Sequence, residues 1–219
     1  MLDVMGTQAS SAAHGTGAVP WPAEADAALT GPPPIGGESD ILALVQCAQN
    51  GDTDAFGKIY DHFFAQVYRY SAFRLPPEVA EDTVADIFVK AWEKLYQYKA
   101  HRNVPFAAWL FRIARHTVID VYRTQRGFEE VPESLEDPDI FNRAETAVER
   151  KDLLRMVRKA VSLLPRRYRE VLLLVYVGNL SHGEAARVLH LTEGAVRILK
   201  LRALRKLEAS LPSECRELL

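Results

Sequence analysis

Between Ser181 and Leu207 the chain starts two helices in quick succession, and few folds other than a helical hairpin can accommodate that. The stretch reads SHGEAARVLHLTEGAVRILKLRALRKL. Ser181-His182-Gly183-Glu184 has the form of a capping box. The Ser181 hydroxyl accepts from the Glu184 amide, and the Glu184 carboxylate reaches back to the Ser181 amide. AARVLH then has room for about two turns of helix. His190-Leu191-Thr192 is too short for anything but a tight turn, and Thr192 is placed to cap a second helix. Two short helices joined in this way predict a helix-turn-helix, whose second helix lies in the major groove with its N-terminal residues at base edges.

That second helix is cationic. Residues 191–207 hold Arg197, Lys200, Arg202, Arg205 and Lys206 and, after Glu193, no acid. Its apolar seam is Val196, Leu199, Ala203 and Leu207, which turns Arg197, Lys200 and Arg205 elsewhere. The candidates for DNA contact are Thr192, Glu193, Ala195, Arg197, Ile198, Lys200, Leu201 and Arg202. Arg197 suits a guanine edge, the other cations suit phosphates, and Ile198 and Leu201 suit thymine methyls. A helical hairpin with a solvated cationic face has the same pattern, so the choice rests on the rest of the chain.

The rest is also helical. Residues 1–38 are rich in Ala, Gly, Pro, Ser and Thr and bury too little apolar area to offset chain entropy, which predicts a disordered extension. Ser39-Asp40 is expected to cap a first helix, ILALVQCAQN, and Gly51-Asp52-Thr53 to end it and cap the next. Phe56, Ile59, Tyr60, Phe63, Val67 and Tyr70 follow the helical period. Pro76-Pro77 breaks that run and opens another, with Val84, Ile87, Phe88, Ala91, Trp92 and Leu95 on one face. The loop KAHRNVP leads into FAAWLFRIARHTVIDVYRTQR, a helix both aromatic and basic. GFEEVPESLEDPD has no period. Helices are expected at about 141–162, 165–177, 181–189 and 192–210. No strand alternation occurs, so the expected fold is all-α. It comprises an extension (1–38), a helical lobe (39–126), an acidic flexible linker (127–150) and a helix-turn-helix lobe (151–219).

The net charge of −2 conceals segregation. Residues 1–50 have no Lys or Arg and five acids; residues 99–126 have six cations and one acid; residues 127–150 have eight acids against Arg143 and Arg150; residues 160–219 have ten cations and six acids. Two basic blocks flanking an acidic link suit a polyanion touched at two places, although solvated helix faces give the same counts. There is no P-loop, no G-x-G-x-x-G, no G-x-S-x-G and no H-E-x-x-H. His182-Gly183-Glu184 matches the H-x-E of zinc deaminases, but no P-C-x-x-C follows. Glu81, Asp82 and Asp86 lack an E-x-x-H partner. The chain therefore reads as a non-enzyme with no cofactor or metal. The N-terminus lacks a signal peptide's basic and apolar regions, no run is long and apolar enough for a membrane span, and Cys47 and Cys215 stand alone; a cytoplasmic protein is expected.

LPRRYREVLLLVYVGNLSHGEAARVLHLTEGAVRILKLRALRKL resembles the promoter-binding C-terminal domain of bacterial sigma factors of the extracytoplasmic-function (ECF) group of the sigma-70 family. That group runs LP-x-x-x-R-x-V-x-x-L, then S-x-x-E-x-A-x-x-L, then E-G-T-V. AEDTVADIFVKAWEKL and FAAWLFRIARHTVIDVYR separately resemble two helices of the family's first domain, A-E-D-x-x-Q-x-x-F-x-x-x-W and F-x-x-W-L-x-x-I-A-x-N-x-x-x-D-x-x-R. The resemblance covers about 40–126 and 151–209 in the family's order.

The resemblance implies a subunit that takes RNA polymerase to promoters and helps to open them. Its implied partners are core polymerase (the beta-prime clamp helices and the beta flap), promoter DNA and an anti-sigma factor, with no membrane. Asp82, Asp86, Phe88 and Trp92 would face core polymerase, or, for Phe88 and Trp92, pack in the core. Lys99, His101, Arg102 and Asn103 of the loop would capture a flipped minus-ten base. Arg112, Arg115 and Arg123 would hold that strand's phosphates. Trp109 is either core or a stacking platform. Thr192, Glu193, Arg197, Ile198, Lys200, Leu201 and Arg202 would meet the minus-thirty-five duplex. The acidic linker is either the family's connector near the RNA path or a plain tether. His116, Ala85, His190, Ile198, Leu199 and Lys200 depart from the pattern, so the upstream consensus does not carry over. A stand-alone helix-turn-helix regulator would explain the second lobe but leave the basic helix at 105–126 without a role, and a protein-only adaptor would explain neither basic block. Deleting residues 1–38 should leave binding to core polymerase unchanged within about twofold in a pull-down or interferometry titration; a large loss refutes the reading of this segment as an inert extension.

Overall fold

The structure is a computed structural model that describes residues 37–99, 104–125 and 155–211. Residues 1–36 of the expected extension, the loop residues His101, Arg102 and Asn103, and the acidic linker lie outside these residues, whereas Gly37 and Glu38, expected in the extension, belong to the start of the first helix. So does the start of the helix expected at 141–162.

Among the described residues every regular element is helical. They are α1 (Glu38–Gln49), α2 (Thr53–Ala72), α3 (Pro77–Lys94) with a short 3₁₀ turn (Leu95–Gln97), and α4 (Phe106–Gln125). Then come α5 (155–163), α6 (Arg166–Leu172) running into a π-turn (Leu173–Val177), α7 (His182–Leu189) and α8 (Glu193–Ser210). The boundaries follow local chemistry. Asp52 caps α2 by accepting from the Asp54 and Ala55 amides at 3.0 Å each. Pro77 opens α3 in its first turn. Ser181 and Glu184 form the expected capping box, at 3.2 and 2.7 Å. The Thr192 hydroxyl accepts from the Ala195 amide at 3.2 Å.

Two expectations change. The cap of α1 is Gly37, not Ser39-Asp40, and it makes no side-chain cap hydrogen bond. The Glu38 side chain instead reaches across to α4, where its Oε1 accepts from the Phe106 amide at 2.9 Å. A distant helix start therefore took the carboxylate nearest the expected cap. The segment expected as one helix at 165–177 widens after Leu172. The Gly178 amide donates to the Leu173 carbonyl, five residues back, at 2.8 Å. The turn between α7 and α8 has His190 where the family commonly has glycine, as the sequence shows. His190 sits at φ 55°, in the left-handed region, and ends α7 there.

The first lobe buries Ile59, Phe63, Val67 and Tyr70 of α2 against Val84, Ile87 and Phe88 of α3 and Phe106, Leu110, Phe111 and Val118 of α4. The second buries Val161, Leu164 and Leu174 with Val188 of α7 and Val196, Ala203 and Leu207 of α8. Leu199 also packs against this core, whereas Lys200 extends its ammonium to 6.0 Å from the centre of the Tyr176 ring. The expected seam of α8 is therefore present.

The lobes pack on each other. Glu170, Val171, Leu172, Leu173 and Leu174 are all buried in succession. A helix buried all round lies between two layers of partners. Gly178 follows at the closest approach: a Cβ there would stand 2.8 Å from Cε1 of the buried Phe111 ring and 3.0 Å from the Leu174 carbonyl oxygen. Gly178→Ala should cost about 1–3 kcal/mol through overpacking, lowering the thermal midpoint by several degrees in calorimetry. An unchanged midpoint would show that this interface yields freely.

Candidate nucleic-acid interface

The basic helix α4 begins beside the loop at 99–105, and both stems of that loop are tied down. The Gln49 side-chain amide donates to the Leu95 and Tyr98 carbonyls at 2.8 and 2.9 Å. The Tyr98 hydroxyl donates to the Val104 carbonyl at 2.8 Å, closing the base of the loop. Burial, together with the Glu38 charge, pushes the Tyr98 phenol up to about 12, so it stays a donor at any physiological pH. The Tyr98, Phe106 and Trp109 rings pack together at 5.2 to 5.4 Å. Trp109 is thus part of the wall that supports the loop. Lys99 is exposed at the near stem.

The three arginines of α4 differ in environment. Arg123 is exposed. Arg112 donates through Nε and Nη2 to the Arg187 carbonyl in the last turn of α7, at 3.1 and 2.6 Å. Arg115 donates through Nε to Glu170 Oε2 at 3.0 Å. Two of the three expected strand contacts are therefore engaged by the second lobe. Arg74, which the sequence reading passed over, donates through Nη2 to the other oxygen of Glu170 at 2.8 Å. Glu170 was also passed over, although the spacing held a signal. It stands three and four residues before Leu173 and Leu174, on the buried face of the same helix.

On α8 the expected contacts separate by exposure. Ile198 and Leu201 are 54% and 50% exposed, an apolar pair on a polar surface. Arg202 and Arg205 are exposed, and Lys200 is half-buried beside Tyr176. Thr192 is committed to its cap. Glu193 and Arg197 form an ion pair one helical turn apart, which holds the guanidinium along the helix surface. Burial lowers the pKa of the nearby His182, and Lys200 and Arg197 lower it further against the opposing charge of Glu193.

On α3, Asp82 and Asp86 are exposed one turn apart. Phe88 is buried, its ring 4.5 Å from that of Tyr60, and so supports the surface from beneath. Trp92 packs edge-on against Phe56 at 4.8 Å and is 39% exposed, with Val89 and Tyr96 exposed beside it. Among the described residues no group of His, Cys, Asp and Glu could hold a metal ion, and no helix is long and apolar enough to cross a membrane.

Two family models match the chain: Sigma-70 region 2 over residues 59–128 and Sigma-70, region 4 over residues 154–207. The ECF RNA polymerase sigma factor BldN of Streptomyces coelicolor is 33% identical over 179 residues, which cover 80% of this chain and 67% of that one. The RNA polymerase sigma factor CnrH of Cupriavidus metallidurans is 32% identical over 187 residues, covering 81% of this chain and 96% of that one. A solved structure of CnrH in complex with the cytosolic domain of CnrY superposes with a TM-score of 0.58 at 32% identity, covering 76% of this chain and 94% of that chain.

If Arg197 reads a base, Arg197→Ala should remove the preference at one upstream position, a loss of about 1–3 kcal/mol there in a competition assay across sequence variants. Equal weakening on every sequence would mark Arg197 as a phosphate contact.

Proposed function

The chain belongs to the ECF group of the sigma-70 family, which directs bacterial RNA polymerase to promoters, and we propose how its two lobes divide that work. The observation that supports this division most directly is the fixed loop base beside a basic helix in one lobe, together with a doubly capped helix-turn-helix in the other.

The lobe at 39–126 binds core polymerase and the minus-ten element. Asp82 and Asp86 meet the beta-prime clamp helices, with the exposed edge of Trp92 adding apolar contact and Phe88 holding the helix surface in shape. Lys99, His101, Arg102 and Asn103 take the flipped base, on stems held by Gln49 and Tyr98. A rigid base lets the loop capture an unstacked nucleotide with little ordering cost of its own. Arg123 holds phosphate from the outset, and Arg112 and Arg115 join it once freed from the second lobe.

The lobe at 151–219 holds the minus-thirty-five duplex and touches the beta flap. Arg197 reads a base edge, Ile198 and Leu201 contact thymine methyls, and Lys200 and Arg202 bind phosphate. Thr192 and Glu193 act by setting the helix start and the Arg197 orientation. The linker at 127–150 spans between the elements. An anti-sigma factor is the further partner expected; the relative CnrH has a solved structure in complex with the cytosolic domain of CnrY. The chain works in the cytoplasm and performs no chemistry itself. RNA synthesis belongs to the polymerase.

In vitro transcription tests this directly. Core polymerase plus this chain should initiate at a subset of promoters in a genomic library, and core alone should not. Absence of both transcripts and core binding would refute the reading. A stand-alone regulator would instead retard promoter fragments without any polymerase.

A further inference from the structure

Glu170 carries one of the few acids in the cationic second lobe, yet it is buried between the lobes. Its two oxygens take one arginine each, both from the first lobe. Arg74 lies over the Tyr70 ring at 4.9 Å, with its Nε buried and unpartnered. The Tyr70 hydroxyl beside it is fully buried and faces Glu170, whose carboxylate adds to the burial that raises the phenol's pKa. Arg74 Nε is thus a donor left over after Glu170 has taken one nitrogen from each arginine. Two guanidinium groups around two oxygens, with a donor to spare, suit a phosphate, which offers more acceptor oxygens and more charge than a carboxylate.

A second contact covers the same surface. Arg112 is one helical turn before Arg115 on α4, and the second lobe takes its donors as well, through the Arg187 carbonyl. That carbonyl lies in the last turn of α7, where the helix dipole is negative. Both arginines therefore meet a negative group of the helix-turn-helix lobe where a nucleic-acid strand would lie.

We propose that Arg74 and Arg115 form a seat for a DNA phosphate and that Glu170 occupies it as an internal stand-in while the lobes are packed together. The inference rests on the promoter-binding reading above and adds to it a site, with Arg74 as its second wall. Phosphate and Glu170 compete for the same donors, so DNA binding and separation of the lobes are one equilibrium. A site that is open only part of the time binds with an affinity reduced by that fraction.

The test uses the full chain and two probes: a mixed-sequence single-stranded DNA dodecamer, and the same dodecamer with an uncharged methylphosphonate backbone. Glu170→Gln keeps the shape of the side chain and removes its charge. It should tighten phosphodiester binding at least about threefold and enlarge the particle in small-angle scattering. It should leave methylphosphonate binding unchanged. Adding Arg74→Ala or Arg115→Ala to Glu170→Gln should reverse the gain and lower the slope of log affinity against log salt by about one. Unchanged affinity and size, or a gain that survives loss of both arginines, overturns the proposal. If Glu170→Gln fails to fold by circular dichroism, the wild-type chain decides. The phosphodiester dodecamer must enlarge the particle and the methylphosphonate must not; binding without enlargement overturns the proposal. Promoter-dependent transcription by the wild-type chain keeps the two readings apart. Initiation without any Glu170→Gln effect refutes this inference alone, and the Glu170→Gln effect without initiation refutes the promoter reading alone.

Discussion

Water exclusion around the helix turn at 170–174 holds the rest of the described structure in place. Five consecutive buried residues cannot be covered by one neighbour, since a helix touching a single partner buries only a stripe. The first lobe must cover one side and α8 the other. Once that is so, the acid at the head of the run is carried into the interface and must be neutralised there, because an unpaired charge in such surroundings is far more costly than a paired one. Arg74 and Arg115 supply the neutralising charge. The close seating of Gly178 on Phe111 follows from the same geometry.

The two surfaces proposed to face DNA are built on different principles. The loop at 99–105 is defined by its base. Gln49, Tyr98 and Glu38, none of them cationic, hold the stems and the start of α4. The surface of α8 is defined by its own side chains. There Glu193 restrains Arg197, and the apolar pair Ile198 and Leu201 stands out from the cationic rim. An apolar pair so exposed gains from contact with methyl groups, whereas the surrounding cations gain from any phosphate.

Local chemistry was legible in the sequence wherever it acted locally. Asp52, Pro77, Ser181 with Glu184, and Thr192 all start helices as their types and spacing require. The seam of α8 was legible because it repeats. Glu38 was not, because its partner Phe106 is far away along the chain and competes with the nearer cap. His190 was noticed only as a departure from glycine; that it takes the left-handed conformation anyway shows the tight turn overriding residue preference. Arg112 and Arg115 were read as cations for a DNA strand and not as partners of the second lobe, which is where the structure has them. No one-dimensional pattern marks a contact between segments whose relative placement is set by packing elsewhere.

The π-turn at Leu173–Val177 has a consequence for the angular setting of the whole second lobe. An α-helix advances about 100° per residue, so one residue extra in a turn rotates everything beyond it by nearly a third of a circle. The direction in which α7 and α8 face, as seen from Glu170, is therefore a matter of residue count. A substitution within LLVYV alters a contact. A deletion of one residue there would re-clock the reading helix against the carboxylate that holds the lobes together, and no side-chain change could restore the phase.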